Sequence, residues 1–371
     1  MNTLSYFAQF DETINGFTLE HTAIPALKSG ELLVRNSYTT ICRSDLYTFQ
    51  GKRKEKNPTI LGHEIVGHIV AMAPDAVPTD LRGKTLEIGD RITWGIYASN
   101  PDSIYAAKGI PQKAEDLFKY GHEQITAEST LHGGLAEYII LRKNTPIIVL
   151  QNDAMPDQVA SLVNCSVATV AGAIRVAGQL KGQTVLVSGT GMLGIIACAM
   201  AKTDGAKKVI AVDADQERAL RALSFGADWT LGADLMPFFQ QDGEASSSPT
   251  KVDTVLEFSG MPSAMESTLE MLDVGGTAVW IGATFPQASI PVNAEKMIRR
   301  VLTIKGLHNY NQHDLVAAVD FLEAEHQTYD FDALVHGGFT LDQTTAAYQY
   351  AIDNNPFRVG IDLSVKIQQH G

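Results

Sequence analysis

The sequence predicts an α/β plus β protein in two parts: a β-rich, barrel-like domain and a parallel, doubly wound α/β domain. Three observations predict it. The chain has 371 residues, too long for one ordinary core and comfortable for two. Short β-type runs broken by Gly and Pro fill the first part. From about residue 166, continuous apolar strands alternate with helical stretches, the pattern of a parallel sheet. The expected division is residues 1–166 with 308–371 for one domain and 167–307 for the other.

In the first part the strands are runs such as Glu31–Asn36, Val66–Ala71 and Asp90–Trp94, spaced by turn residues. In the second, Thr184–Ser188 is an apolar strand, followed by a glycine turn and a helix from about Met192. Lys208–Val212, Thr254–Phe258 and Thr277–Ile281 read as further strands. After Gly306 come helices at Asp314–Glu323 and Leu341–Asp353, then a last strand, Arg358–Val365, expected to return to the first domain. The low-complexity run Gly243–Thr250 reads as a surface loop.

Composition narrows the function. Apolar residues make up 45% and charged residues 19%, the balance of a globular protein. A net charge of −13 argues against nucleic acid or an anionic membrane as partner, and leaves small molecules open. Cys42, Cys165 and Cys198 are too few and too widely spaced for a disulfide framework, which fits a reducing compartment. The N-terminus lacks a basic start with an apolar core, and no window is expected to reach the apolar length of a membrane span. A cytoplasmic protein is expected.

Gly189-Thr190-Gly191-Met192-Leu193-Gly194 fits G-x-G-x-x-G. Alone, such a match is as often a plain strand-to-helix turn. Here a strand precedes it, a helix follows, and Asp213 closes the next strand 19 residues after Gly194, the spacing of a dinucleotide site. The glycines admit a pyrophosphate to the helix N-terminus. Asp213 would accept from ribose hydroxyls and repel a 2′-phosphate, favouring NAD over NADP, although Asp215 and Arg218 blur that preference.

Cys42, His63 with Glu64, and Cys165 are the metal candidates. Two thiolates and an imidazole suit zinc with one position left open, which makes such a site catalytic rather than structural. Taken singly, each residue reads better as an ordinary core Cys or His.

Together these motifs resemble the zinc-containing medium-chain dehydrogenase/reductase family. The carriers are Ile41-Cys42-Arg43-Ser44-Asp45, Leu61-Gly62-His63-Glu64-Ile65-Val66-Gly67, Gly89-Asp90-Arg91-Ile92, Gly133-Gly134-Leu135-Ala136-Glu137-Tyr138 and Asn164-Cys165 with Thr169 and Ala173. Lys305-Gly306 and Phe357-Arg358-Val359 complete the set in chain order. The resemblance implies a GroES-like β-barrel catalytic domain with a doubly wound Rossmann cofactor domain, and an alcohol dehydrogenase acting in the cleft between them. It implies one catalytic zinc on Cys42, His63 and Cys165, the two-cysteine, one-histidine set already known for alcohol dehydrogenases. Glu64 would stand behind the metal as an alternative ligand. Asp45 would orient His63, and Ser44 would bond the substrate oxygen. Arg43 and Arg358 would meet the pyrophosphate, and Thr169 the nicotinamide. Gly189, Gly191, Met192, Leu193, Gly194, Asp213 and Arg218 would frame the NAD site. A homo-oligomer, with a dimer favoured through the Rossmann edge strands, is expected.

The chain departs from that pattern at three places. Where many members carry a relay His, it has Tyr47, a poor proton shuttle at neutral pH. The region about Ile96–Gln124 lacks the four cysteines of the structural-zinc lobe, so no structural zinc is expected; His122 and Glu123 within it read as a chance surface pair. The long segment Met72–Gly89 and His308-Asn309-Tyr310 resemble a bacterial subgroup associated with phosphonate catabolism. Trp94, Tyr97, Phe49 and His308 are candidates for the pocket border, with a core role equally open for Trp94 and Phe49. Two other functions compete: a zinc-free enone or quinone reductase of the same superfamily, and a binding protein that kept the fold without the chemistry.

Overall fold

The computed structural model describes residues 4–14, 16–76, 78–232 and 251–365. The run Gly243–Thr250 lies outside them. The chain divides into two compact units: residues 1–165, 311–327 and 331–371 in one, and 166–310 with 328–330 in the other.

The first unit contains β1 (Leu4–Asp11), β2 (Gly16–Ala23), β3 (Leu32–Ile41), β4 (Glu64–Met72), β5 (Arg91–Trp94), β6 (Tyr97–Ala98), β7 (Phe118–Lys119), β8 (Tyr138–Leu141) and β9 (Ile147–Val149). The second contributes β10 (Thr184–Ser188), β11 (Lys208–Val212), β12 (Trp229–Leu231), β13 (Val252–Glu257), β14 (Leu272–Trp280) and β15 (Thr303–Gly306). The tail returns β16 (Val335–Thr340) and β17 (Arg358–Asp362) to the first unit.

The long strand β3 organises the first unit. It is rich in β-branched and apolar residues and buried along most of its length, as a strand covered on both faces must be. It pairs antiparallel with β4, β8 and β17. Two registers matter: Thr40 faces Glu64, and Val359 faces Ile41. They bring Cys42, His63, Glu64 and Arg358 to one end of three adjacent strands, although these residues are far apart in sequence. Two apolar clusters support that end. One joins Phe10, Phe49, Tyr348 and Val359; the other joins Ile65, Ile69, Trp94, Phe118 and Tyr120.

The second unit is a six-stranded sheet in the order β12-β11-β10-β13-β14-β15, parallel throughout. Its strands are continuous apolar runs because helices cover both faces. Strand order reverses between β10 and β13, so a crevice opens outside their carboxyl ends.

One sequence expectation needs correction. The run Asp157–Ala177 is long and apolar enough to pass for a membrane span: its most apolar 18-residue window has a mean hydropathy of 1.6, but 78% of that window is buried within the protein. Its composition serves the core.

Candidate active site

Three local structures deliver the metal candidates. β3 ends at Ile41, and Cys42 stands at the N-terminus of the helix Arg43–Phe49. His63 precedes β4. Cys165 sits in a π-helical turn, Val163–Val167, a distortion that often marks functional positions. The Asn164 side-chain oxygen accepts from the Ile65 backbone N–H at 3.1 Å. That bond seats the turn against the start of β4. One donor atom from each of Cys42, His63 and Cys165 lies within 4.8 Å of the others. Two sulfurs and a ring nitrogen at that spacing fit a tetrahedral zinc ion with a place left over.

The side chains around the triangle hold it in register. Asp45 accepts from the Cys42 backbone N–H at 3.0 Å through Oδ2. Its other oxygen faces His63 Nδ1 at 3.3 Å, with both residues almost fully buried. A carboxylate on Nδ1 directs the other ring nitrogen towards a metal. Burial pushes the His63 imidazole down, but the charge and hydrogen bond of Asp45, with Cys42, outweigh it and hold the group well above its usual range. The Cys42 thiol is held well below its usual range by its hydrogen bond with Cys165, helped by Arg358 and His63 against the effect of burial. Cys165 moves the opposite way, for the same hydrogen bond and its burial.

Glu64 is paired with Arg358 in this structure. It lies outside the triangle and gives both oxygens to Arg358, at 2.7 and 3.0 Å. Thr40 Oγ1 donates to the same carboxylate at 2.6 Å. Arg358, expected at the pyrophosphate, is buried against Glu64, with Nη2 3.7 Å from the Cys42 sulfur. The physical reason is register: β17 lies beside β3, so the first residue of β17 emerges next to Cys42.

His122 is not a surface group. It is 9% exposed, and its ring centroid lies 5.2 Å from that of His63. The lobe around it is filled by Phe118, Tyr120 and Ala98 from the apolar cluster under β4. Asn311 Nδ2 also ties the lobe down by donating to Gly109 O at 3.1 Å. Trp94 and Phe49 are core residues; Tyr97 is buried, and His308 is exposed. Ser44 and Tyr47 are half-buried on the helix that follows Cys42, and Arg43 is exposed.

In the second unit, the glycine loop runs from β10 into the helix Met192–Thr203. Each glycine has its own reason. Gly189 has φ +85° and packs on the Ser259 backbone. A Cβ on Gly194 would collide with Gly189 O. A Cβ on Gly191 would meet only Arg218, at 3.8 Å, which leaves open space suited to an approaching pyrophosphate. Met192 is buried, Leu193 half-buried, and Thr169 is buried early in the helix Ala168–Ala177. Asp213 reaches back to the loop: Oδ2 accepts from the Thr190 backbone at 2.6 Å and from Thr190 Oγ1 at 3.0 Å. Glu257, at the end of β13, accepts from the Ser259 and Gly260 backbone N–H groups at 2.9 and 3.1 Å. Burial raises its carboxyl above the usual range despite those bonds.

Known proteins share the family domains and the fold. Residues 28–152 match the alcohol dehydrogenase GroES-like domain, and residues 193–324 match the zinc-binding dehydrogenase family. The chain belongs to the zinc-containing medium-chain alcohol dehydrogenases. An L-threonine 3-dehydrogenase of Pyrococcus abyssi is 28% identical over 303 residues, covering 79% of each chain. A sorbitol dehydrogenase of Halalkalibacterium halodurans is 24% identical, covering 90% of this chain and 91% of its own. An acryloyl-coenzyme A reductase of Sulfurisphaera tokodaii is 29% identical, covering 92% and 94%. The alcohol dehydrogenase structure of Thermotoga maritima superposes with a TM-score of 0.89 at 22% identity, over 97% of this chain and 99% of that one. A zinc-binding dehydrogenase of Sinorhizobium meliloti bound to NADP has a TM-score of 0.83 at 21% identity, over the same shares. The two structures establish the fold.

Several residues of this dehydrogenase's site carry no readable sequence signal. Thr40 and Glu55 belong to no motif. Asn164 is visible only as the neighbour of Cys165. His122 stands in a Gly-His-Glu triplet, like His63, but only the fold places the two rings together.

Proposed function

We propose that this dehydrogenase oxidises a small alcohol or polyol to an aldehyde or ketone with NAD, and runs the reverse reduction. The observation that carries the reading is the triangle of Cys42, His63 and Cys165. When bound, zinc supplies a Lewis acid for the substrate oxygen and the nicotinamide supplies the hydride acceptor. The chain's residues do the rest. Cys42, His63 and Cys165 would hold the metal, with Asp45 fixing the His63 ring. Ser44, two residues beyond Cys42, would bond the alcohol oxygen and relay its proton outward, giving up its own hydroxyl proton as it accepts the substrate's. Gly191 and the helix N-terminus receive the pyrophosphate. Asp213, beneath the loop, favours NAD over NADP because a second negative charge beside it is repelled. Three free cysteines support a cytoplasmic setting. The edge strand β15 with exposed Val274, Ile298 and Val301 nearby in the same unit supports a homodimer.

Purified protein should carry about one zinc per chain. It should reduce NAD in the presence of an alcohol, and Cys42→Ser should abolish both. The second reading, a reductase of activated double bonds, is favoured by the likeness to the acryloyl-coenzyme A reductase. Protein that lacks zinc yet reduces enones with NADH would establish that reading instead.

A further inference from the structure

His122 is brought to the metal triangle by a backbone device. Gly121 has φ +77°, and a Cβ there would press on the Gly62 carbonyl oxygen at 2.5 Å. Its N–H donates to His132 O at 2.8 Å. No other residue type could hold this conformation at this approach without strain. The turn after β7 is thus held against the residue preceding His63, and the next side chain along is His122. Its Nδ1 lies 3.1 Å from Glu55 Oε1. Glu55 is itself held by Arg53 at 2.5 Å. A carboxylate only accepts, so Nδ1 carries the proton and the ring cannot turn over. The other nitrogen, Nε2, has no hydrogen-bond partner among the described residues. A histidine serving packing alone has no need of a half-buried carboxylate to orient it beside a metal ligand.

We propose that His122, oriented by Glu55, is a specificity residue: its Nε2 bonds a second hydroxyl on the alcohol substrate, so the site prefers diols and polyols to monofunctional alcohols. The inference rests on the proposed zinc-centred reading for the position of the first hydroxyl. A hydroxyl both donates and accepts, so it pairs with Nε2 whichever protonation state the ring holds.

The test is equilibrium binding of butane-2,3-diol and butan-2-ol to the zinc-loaded protein by ligand-observed NMR, with no turnover required. One hydrogen bond should make the diol bind about three- to tenfold tighter. In His122→Phe that ratio should fall to about one, with zinc content and butan-2-ol binding unchanged. Glu55→Ala, which frees the ring, should lower the ratio in the same direction. A wild-type ratio of one overturns the proposal. So does a ratio that survives both substitutions, or loss of zinc from His122→Phe, which would make the residue part of the metal's support. Absence of NAD-linked turnover would count against the proposed function alone, because binding is read independently.

Discussion

Arg358 and Glu64, 294 residues apart in sequence, form a buried two-pronged ion pair at 2.7 and 3.0 Å directly behind Cys42. Burial alone would lower the Arg358 pKa; the charges of Glu64 and Cys42 outweigh it and keep the guanidinium ionised. The pair engages both Glu64 oxygens and places a positive charge 3.7 Å from the Cys42 sulfur.

Removing one partner leaves the other charged and buried. Arg358→Leu should therefore destabilise the protein by about 3–5 kcal/mol. The double substitution Arg358→Leu with Glu64→Gln should recover much of that loss, since no charge is then stranded. Urea unfolding of the wild type and the variants checks both statements. Equal stability of Arg358→Leu and wild type would show that the pair contributes nothing.

The metal triangle and the glycine loop lie in different units, so their binding should separate. His63→Ala is expected to lose zinc, measured by metal analysis, and with it all alcohol oxidation. NADH binding, followed by fluorescence titration, should stay within about twofold, the effect of a few tenths of a kcal/mol. Surviving activity would place the metal elsewhere.

Two neighbouring glycines make opposite predictions. Gly194→Ala collides with the Gly189 carbonyl and should cost about 1–3 kcal/mol by forcing the helix off the strand. Gly191→Ala projects into open space, so thermal unfolding should shift little. It should weaken NADH binding by roughly tenfold or more, because the new methyl occupies the pyrophosphate's approach. If both variants melt alike and bind alike, the two glycines do not have separate jobs.

His132 sets a pH limit on stability. It is 2% exposed with both ring nitrogens unpartnered among the described residues, and burial pushes its imidazole down to about 4. The unfolded chain takes up this proton near pH ~6.5, so the native state binds fewer protons between the two values. The stabilisation is complete above the unfolded value and is lost as pH falls from about 6.5 towards 4, on the order of 3 kcal/mol for the full interval. His132→Leu should flatten that part of the stability curve. An unchanged slope in that variant would assign the acid sensitivity to other groups.

Much of the fold is legible in the sequence because its signals are local. The apolar runs Thr184–Ser188 and Lys208–Val212 are strands β10 and β11 with those bounds. Glycine spacing locates the loop between strand and helix, since chain reversal at that point tolerates few other residues. The last strand does return to the first unit, pairing with β3. By contrast, Asp157–Ala177 shows that composition alone does not tell a core helix from a membrane span. The partners are less legible. The sequence alone leaves His122 as a surface residue and does not show that Arg358 packs on Glu64; both are buried beside the triangle, for reasons of strand register and of a close contact between Gly121 and Gly62.

By itself, then, the sequence determined the fold class, the alternation of strand and helix, and the residue types available to a metal and a dinucleotide. Those depend on side-chain periodicity and local backbone sterics, which are visible in a short window. Only the tertiary structure decided that Cys42, His63 and Cys165 converge, that Arg358 neutralises Glu64, and that His122 lies against His63. Such contacts are set by strand register and close backbone approach, and no stretch of neighbouring residues encodes them.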